Sequence, residues 1–143
     1  MVSFLRRTDA LEERKTIARC GVKMLSSYLV HADDQQIDAF KITDISGCFI
    51  KAFDLFHRND KSIGKFMVKA FTRLLCVQST ERRQQQLADV LTAKRIIEAM
   101  RHCGDDAGIQ CDGIWCLEYI SDLKRKEIAD EGGFAVIVKA MRK

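Results

Sequence analysis

The chain has 143 residues and a mass of 16.3 kDa, a length that holds one sizeable core and is too short for two compact domains. Hydrophobic residues make up 47% and charged residues 31% of it, which excludes a disordered tail. Its 24 basic and 20 acidic residues are interspersed for a net +4, short of the basic blocks of a dedicated nucleic-acid binder, and no apolar run approaches the roughly 18 to 20 residues of a membrane span.

Pro is absent, and Ala, Leu, Ile, Lys, Arg, Glu and Gln fill the stretches between short polar breaks, so the expected fold class is all-α. The spacing predicts a long helix over 11–30, with a ladder at Ile17, Gly21, Leu25 and Tyr28 marking its inward face. After Asp33-Asp34 come a short helix over 34–42 and a medium one over 45–57. Asn59-Asp60 opens a second long helix over 61–78, with its ladder at Phe66, Ala70, Leu74 and Val77. Ser79-Thr80 then leads into a short helix over 81–91 and a medium one over 92–103. Gly104-Asp105-Asp106 opens the third long helix over 106–121, with its ladder at Ile109, Gly113, Leu117 and Ile120. A short helix over 124–131 and a medium one over 133–143 complete the series. At each break a Ser, Thr, Asp or Asn can accept from the unpaired N–H groups that start the next helix.

The series is periodic. Leu87-Ala88-Asp89 is matched by Ile128-Ala129-Asp130, and Ile96-Ile97-Glu98-Ala99-Met100-Arg101 by Ile137-Val138-Lys139-Ala140-Met141-Arg142, both without a gap and at an offset of 41 (87 to 128, 96 to 137). Ile37, Leu87 and Ile128 follow the three ladders at similar distances. Three units result, about 11–57, 61–103 and 106–143. The first runs about three residues long between Ile37 and Ala52, as a loop insertion in a terminal repeat would.

At 106–143 the residues resemble the armadillo repeat. Ile109-Gln110, Gly113, Trp115, Leu117 and Ile120 are similar to its third helix; Ile128, Gly132-Gly133, Phe134 and Ile137 are similar to the first helix, the turn and the second. The resemblance implies an armadillo/HEAT-type α-solenoid, a right-handed α-α superhelix whose third helices line a concave groove for an extended peptide or partner protein. The best-known members hold the partner's backbone with an Asn four residues after the Trp. Ser27, Cys76 and Tyr119 stand there in this chain, and Lys23 and Thr72 replace the Trp in the first two units, which weighs against a nuclear-import receptor.

Positions six and ten residues into the ladders fall off the inward face, so stacking would align Lys23 and Ser27, Thr72 and Cys76, and Trp115 and Tyr119 into one strip. Lys23, Lys69 and Arg73, with Arg19, would make that groove basic and suited to acidic peptides. Arg82-Arg83 with Lys124-Arg125-Lys126 could instead form a patch for RNA or anionic lipid. The six Cys, at 20, 48, 76, 103, 111 and 116, contain no CxxC pair and read as reduced thiols of a cytoplasmic or nuclear protein, with Cys103, Cys111 and Cys116 buried or partly buried. Cys103, Cys111, Cys116 and His102 match no zinc spacing, and no motif joins a Cys to His31, His57 or His102. No metal, cofactor or catalytic residue is therefore expected.

The expected function is a protein-interaction scaffold. The alternatives are a helical-repeat nucleic-acid-binding module and a regulatory or oligomerisation module of a larger protein. The pattern stops before a third helix that would cover Val136, Ile137, Ala140 and Met141. An uncovered apolar end costs about 25 cal/mol per Å², which implies a piece of a longer repeat protein or self-association through that end.

Overall fold

The computed structural model describes residues 2–38, 42–77 and 81–143, with side chains described over 9–37, 45–77 and 85–143. Every described element is an α-helix: α1 (Val2–His31), α2 (Asp34–Asp38), α3 (Ile42–Phe56), α4 (Lys61–Val77), α5 (Glu81–Leu91), α6 (Ala93–His102), α7 (Ala107–Asp130) and α8 (Gly133–Met141).

Helix starts follow the polar breaks. Asp33 and Gln36 bond reciprocally at the head of α2, Asp33 Oδ1 accepting from the Gln36 N–H at 2.7 Å and Gln36 Oε1 from the Asp33 N–H at 3.0 Å. Asp60 Oδ1 accepts from the Ser62 N–H at 3.1 Å, and Asp106 Oδ1 from those of Gly108 and Ile109 at 2.9 and 3.2 Å. The break at Ser79-Thr80 and the end of the expected 34–42 helix lie outside the described residues.

Two boundaries differ from the sequence expectation. α1 begins at Val2, not near residue 11, because no Gly or Pro interrupts its first two turns and an established helix propagates through good formers. The expected helices over 106–121 and 124–131 are one element, bent at Lys124, whose backbone leaves helical values (φ −127°, ψ 25°) while its ammonium reaches Asp89 Oδ1 at 2.7 Å.

The long helices pack in chain order, α4 against α1 and α7 against α4. α3 lies against α1 and α4, α6 against α4 and α7, and α8 against α6 and α7. Between them sits one core in which Phe49, Phe53, Phe71, Ile63, Met67, Leu74 and Ile96 are fully buried. Each such side chain contributes about 1.5–3 kcal/mol through its burial. Several of the bonds that join these helices span nearly equal lengths of chain. Arg73 Nη2 donates to the Ala32 carbonyl (2.8 Å), Arg95 donates twice to the Asp54 carboxylate (2.9 and 2.7 Å) and Cys103 Sγ reaches the Lys61 carbonyl (3.7 Å), at separations of 41, 41 and 42 residues.

The third ladder is buried throughout; in the second, Ala70 and Leu74 are buried and Phe66 and Val77 half-buried. The first departs from expectation: Ile17 is 71% exposed, Tyr28 is exposed, and α1 instead buries Val22 and Leu29. α3 packs on α4, with Phe53 against Gly64, and α6 packs on α7, where Met100 stands over Gly113 of the third ladder. At the other end Val136 is buried by the chain itself, Ile137 and Ala140 are half-buried, and Met141 is 77% exposed.

Candidate interaction surface

The strip runs across α1, α4 and α7. On α7, Cys116 and Leu117 are buried, so Trp115 and Tyr119, one turn apart, emerge together on another face. Trp115 is 48% exposed, and its ring centroid lies 5.9 Å from that of Tyr119 with the planes 31° apart. The Tyr119 hydroxyl donates to Cys76 Sγ at 3.4 Å, tying α7 to α4, and this bond holds the phenol above its ordinary pKa. Cys76, Tyr119 and Trp115 thus form one continuous contact across two long helices.

Thr72 belongs to the seam beneath. Its hydroxyl lies 2.9 Å from the Val68 carbonyl, 3.2 Å from the Asp112 carbonyl and 3.2 Å from Cys116 Sγ, so it joins α4 to α7 and is only partly open to a ligand. Burial pushes the Cys116 thiol up to about 12, which removes it as a nucleophile near neutral pH. Lys23 and Ser27 are exposed on α1, and Lys69 is exposed on α4.

The basic character of the strip is diluted. Arg73 is half-buried and committed to the Ala32 carbonyl and to Asp34 Oδ1 at 3.2 Å, and Arg19 lies 3.7 Å from Asp60 Oδ2. Burial raises the Asp112 carboxyl while Lys69 pulls it back down, placing an acidic group beside the lysine. On the outer face Lys124 pairs with Asp89 and Arg125 lies 3.6 Å from Asp122; the side chains of Arg82 and Arg83 lie outside the described residues.

Of the three thiols expected to be buried or partly buried, only Cys111 departs from expectation. Cys103 and Cys116 are buried, whereas Cys20, Cys48, Cys76 and Cys111 are exposed. Among the described residues no three His, Cys, Asp or Glu gather to hold a metal ion, and no helix is long and apolar enough to cross a membrane. His57 packs its ring 4.1 Å from that of Phe53 and 6.0 Å from that of His102, with Nε2 3.7 Å from Glu98 Oε2 and Nδ1 buried without a protein partner. Burial pushes its pKa below the ordinary value, against the opposing pull of Glu98.

Two apolar grooves were not anticipated as a pair. One, of about 400 Å³, lies between α1 and α3, lined by Ile17, Gly21, Leu25 and Leu55; the other, of about 300 Å³, lies between α7 and α8, lined by Ile114, Leu117, Phe134 and Ile137. The chain matches no protein-family model, no curated protein and no solved structure.

Proposed function

We propose that the chain is a protein-interaction scaffold, an armadillo-like right-handed superhelix that holds an extended peptide or partner protein along the strip on α1, α4 and α7. The observation that supports this most is the Trp115–Tyr119 pair, half-open to solvent and braced on Cys76. Rigid aromatics fixed in this way lose little entropy on binding and are the usual anchors of an interface. Lys23 and Lys69 give the strip a mild preference for acidic sequences, and four exposed thiols fit a reducing compartment such as the cytoplasm. No catalytic step is assigned to it.

The test is selection of binders from a displayed library of linear peptides, followed by affinity measurement by fluorescence anisotropy. Trp115→Ala and Tyr119→Ala should each weaken an enriched peptide by roughly thirtyfold, the equivalent of about 2 kcal/mol, with the helical circular dichroism signal retained. Peptides that bind both variants as tightly as the parent would refute the strip. Binding confined to single-stranded RNA, with a steep loss on added salt, would move the assignment to nucleic acid.

A further inference from the structure

The two grooves lie at either end of a packing arrangement that the chain makes twice within itself. α3 lies against α4 with its side chains reaching α6: Phe53 sits 3.4 Å from the point where a Cβ on Gly64 would stand, and Asp54 and His57 meet Arg95 and Glu98. α6 occupies the next angle, between α7 and α8. A Cβ on Gly113 would stand 2.6 Å from Met100 Cγ and Sδ, a Cβ on Gly133 would stand 3.2 Å from Ile97 Cδ1, and Arg101 Nη2 donates to the Glu131 carbonyl at 2.8 Å. In each case a medium helix fills the angle between a long helix and the following medium helix.

The angle between α1 and α3 has the same construction and no occupant among the described residues. Gly21 holds the ladder position that Gly113 holds on α7, yet a Cβ there would meet nothing within 4 Å. α8 is the complementary half. By the 41-residue offset it is the counterpart of α6, with Met141 at the place of Met100 and Ile137 at that of Ile96. Ile96 and Met100 are buried to 1% or less, whereas Met141 is 77% exposed and Ile137 half-buried. Phe134, at the place of the fully buried Ala93, is 61% exposed.

We propose that the chain stacks head to tail with a second copy of itself, α8 of one copy entering the angle between α1 and α3 of the next and Met141 covering Gly21. The partner's α1 then lies along α7 as α7 lies along α4, so one contact covers both grooves. This interface continues those already inside the chain, and the patches that meet differ, so the contact is heterologous and repeats along a stack. Arg14 and Lys51 rim one groove and Glu118 and Arg125 the other, so the charges are mixed and apolar burial drives the contact.

Sedimentation velocity over a hundredfold range of concentration tests the assembly separately from peptide capture. The parent chain should gain mass with concentration. Ile17→Glu/Leu55→Glu blocks one end and Phe134→Glu/Met141→Glu the other; each variant alone should remain a monomer, and an equimolar mixture should form a dimer and nothing larger. All four positions are exposed, so the helical signal should be unchanged, and Gly21→Glu, with open space around it, is a second block of the first end. A parent chain monomeric throughout, self-association of either blocked variant, or a mixture that stays monomeric would each overturn the proposal.

Discussion

Gly21 and Gly113 stand on the same rung of two long helices and differ in what faces them. Ala is favoured over Gly in a helix interior by about 1 kcal/mol, and at Gly21 nothing lies close enough to oppose that gain. Gly21→Ala should therefore raise the stability of the monomer by up to about 1 kcal/mol in urea unfolding at low protein concentration. At Gly113 a Cβ would stand 2.6 Å from Cγ and Sδ of the buried Met100, which must shift to admit it. Overpacking of that kind costs about 1–3 kcal/mol, so Gly113→Ala should lower the urea midpoint despite the better helix former. An equal gain at both positions would mean that Gly113 is not a packing contact. His57 supplies a pH dependence of definite sign. Its pKa is lowered in the folded chain, with burial as the largest cause, followed by the opposing Glu98 and then by His102 and Arg58. Between that lowered value and the unfolded value near 6.5 the unfolded state binds more protons, so stability falls as pH drops through this window. Thermal unfolding of the parent should show the fall below about pH 6.5, and His57→Phe should flatten it; an unchanged slope in the variant would place its origin elsewhere.

The helices were legible where their causes are local. Asp33, Asp60 and Asp106 cap α2, α4 and α7 with the bonds their positions foretell, and Ile37, Leu87 and Ile128 are buried one per unit. The illegible parts depend on residues far along the chain. At Lys124 the spacing predicts a break where a bend occurs, because the pull that accompanies it comes from Asp89 in another helix. The turn into α8 was visible as Gly132-Gly133, and Gly132 takes the expected positive φ of 75°, but the turn into α6 uses Thr92 at φ 57°, which no Gly announces. Thr92 Oγ1 accepts from the Arg95 N–H at 3.4 Å, and Arg95 in turn donates to the Val90 carbonyl and to Asp54. A β-branched residue is held there at a cost of about 1–3 kcal/mol by partners on both sides of the turn. The strip divides in the same way. Trp115 and Tyr119 could be placed on a face away from the ladder by helical spacing alone. The partial withdrawal of Thr72 and Arg73 could not, since Asp112, Cys116, Ala32 and Asp34 are about forty residues from the side chains they engage.

Helices packed in a row against their neighbours distribute stability unevenly along the row. α4 and α6 are covered on both sides, and their core residues, among them Ile63, Met67, Phe71, Ile96 and Ile97, are all buried to 2% or less. The first turns of α1 whose side chains are described have little to hold them: from Asp9 to Ile17 every residue but the half-buried Lys15 is exposed. α8 presents Phe134, Val138 and Met141 to solvent. In such arrays the outer elements open without the centre, so amide exchange there reports local opening, while exchange in the middle requires global unfolding. Hydrogen exchange read by mass spectrometry at low concentration should find residues 9–17 and α8 exchanging first and α4 and α6 last. Raising the concentration should then slow exchange at these two ends together and leave the middle unaltered, because stacking covers α1 and α8 and touches neither α4 nor α6. The variants blocked at either end should show no such concentration dependence. Protection as high at residues 9–17 as in α4, in the dilute monomer, would contradict the graded picture and require the chain to open as one cooperative unit.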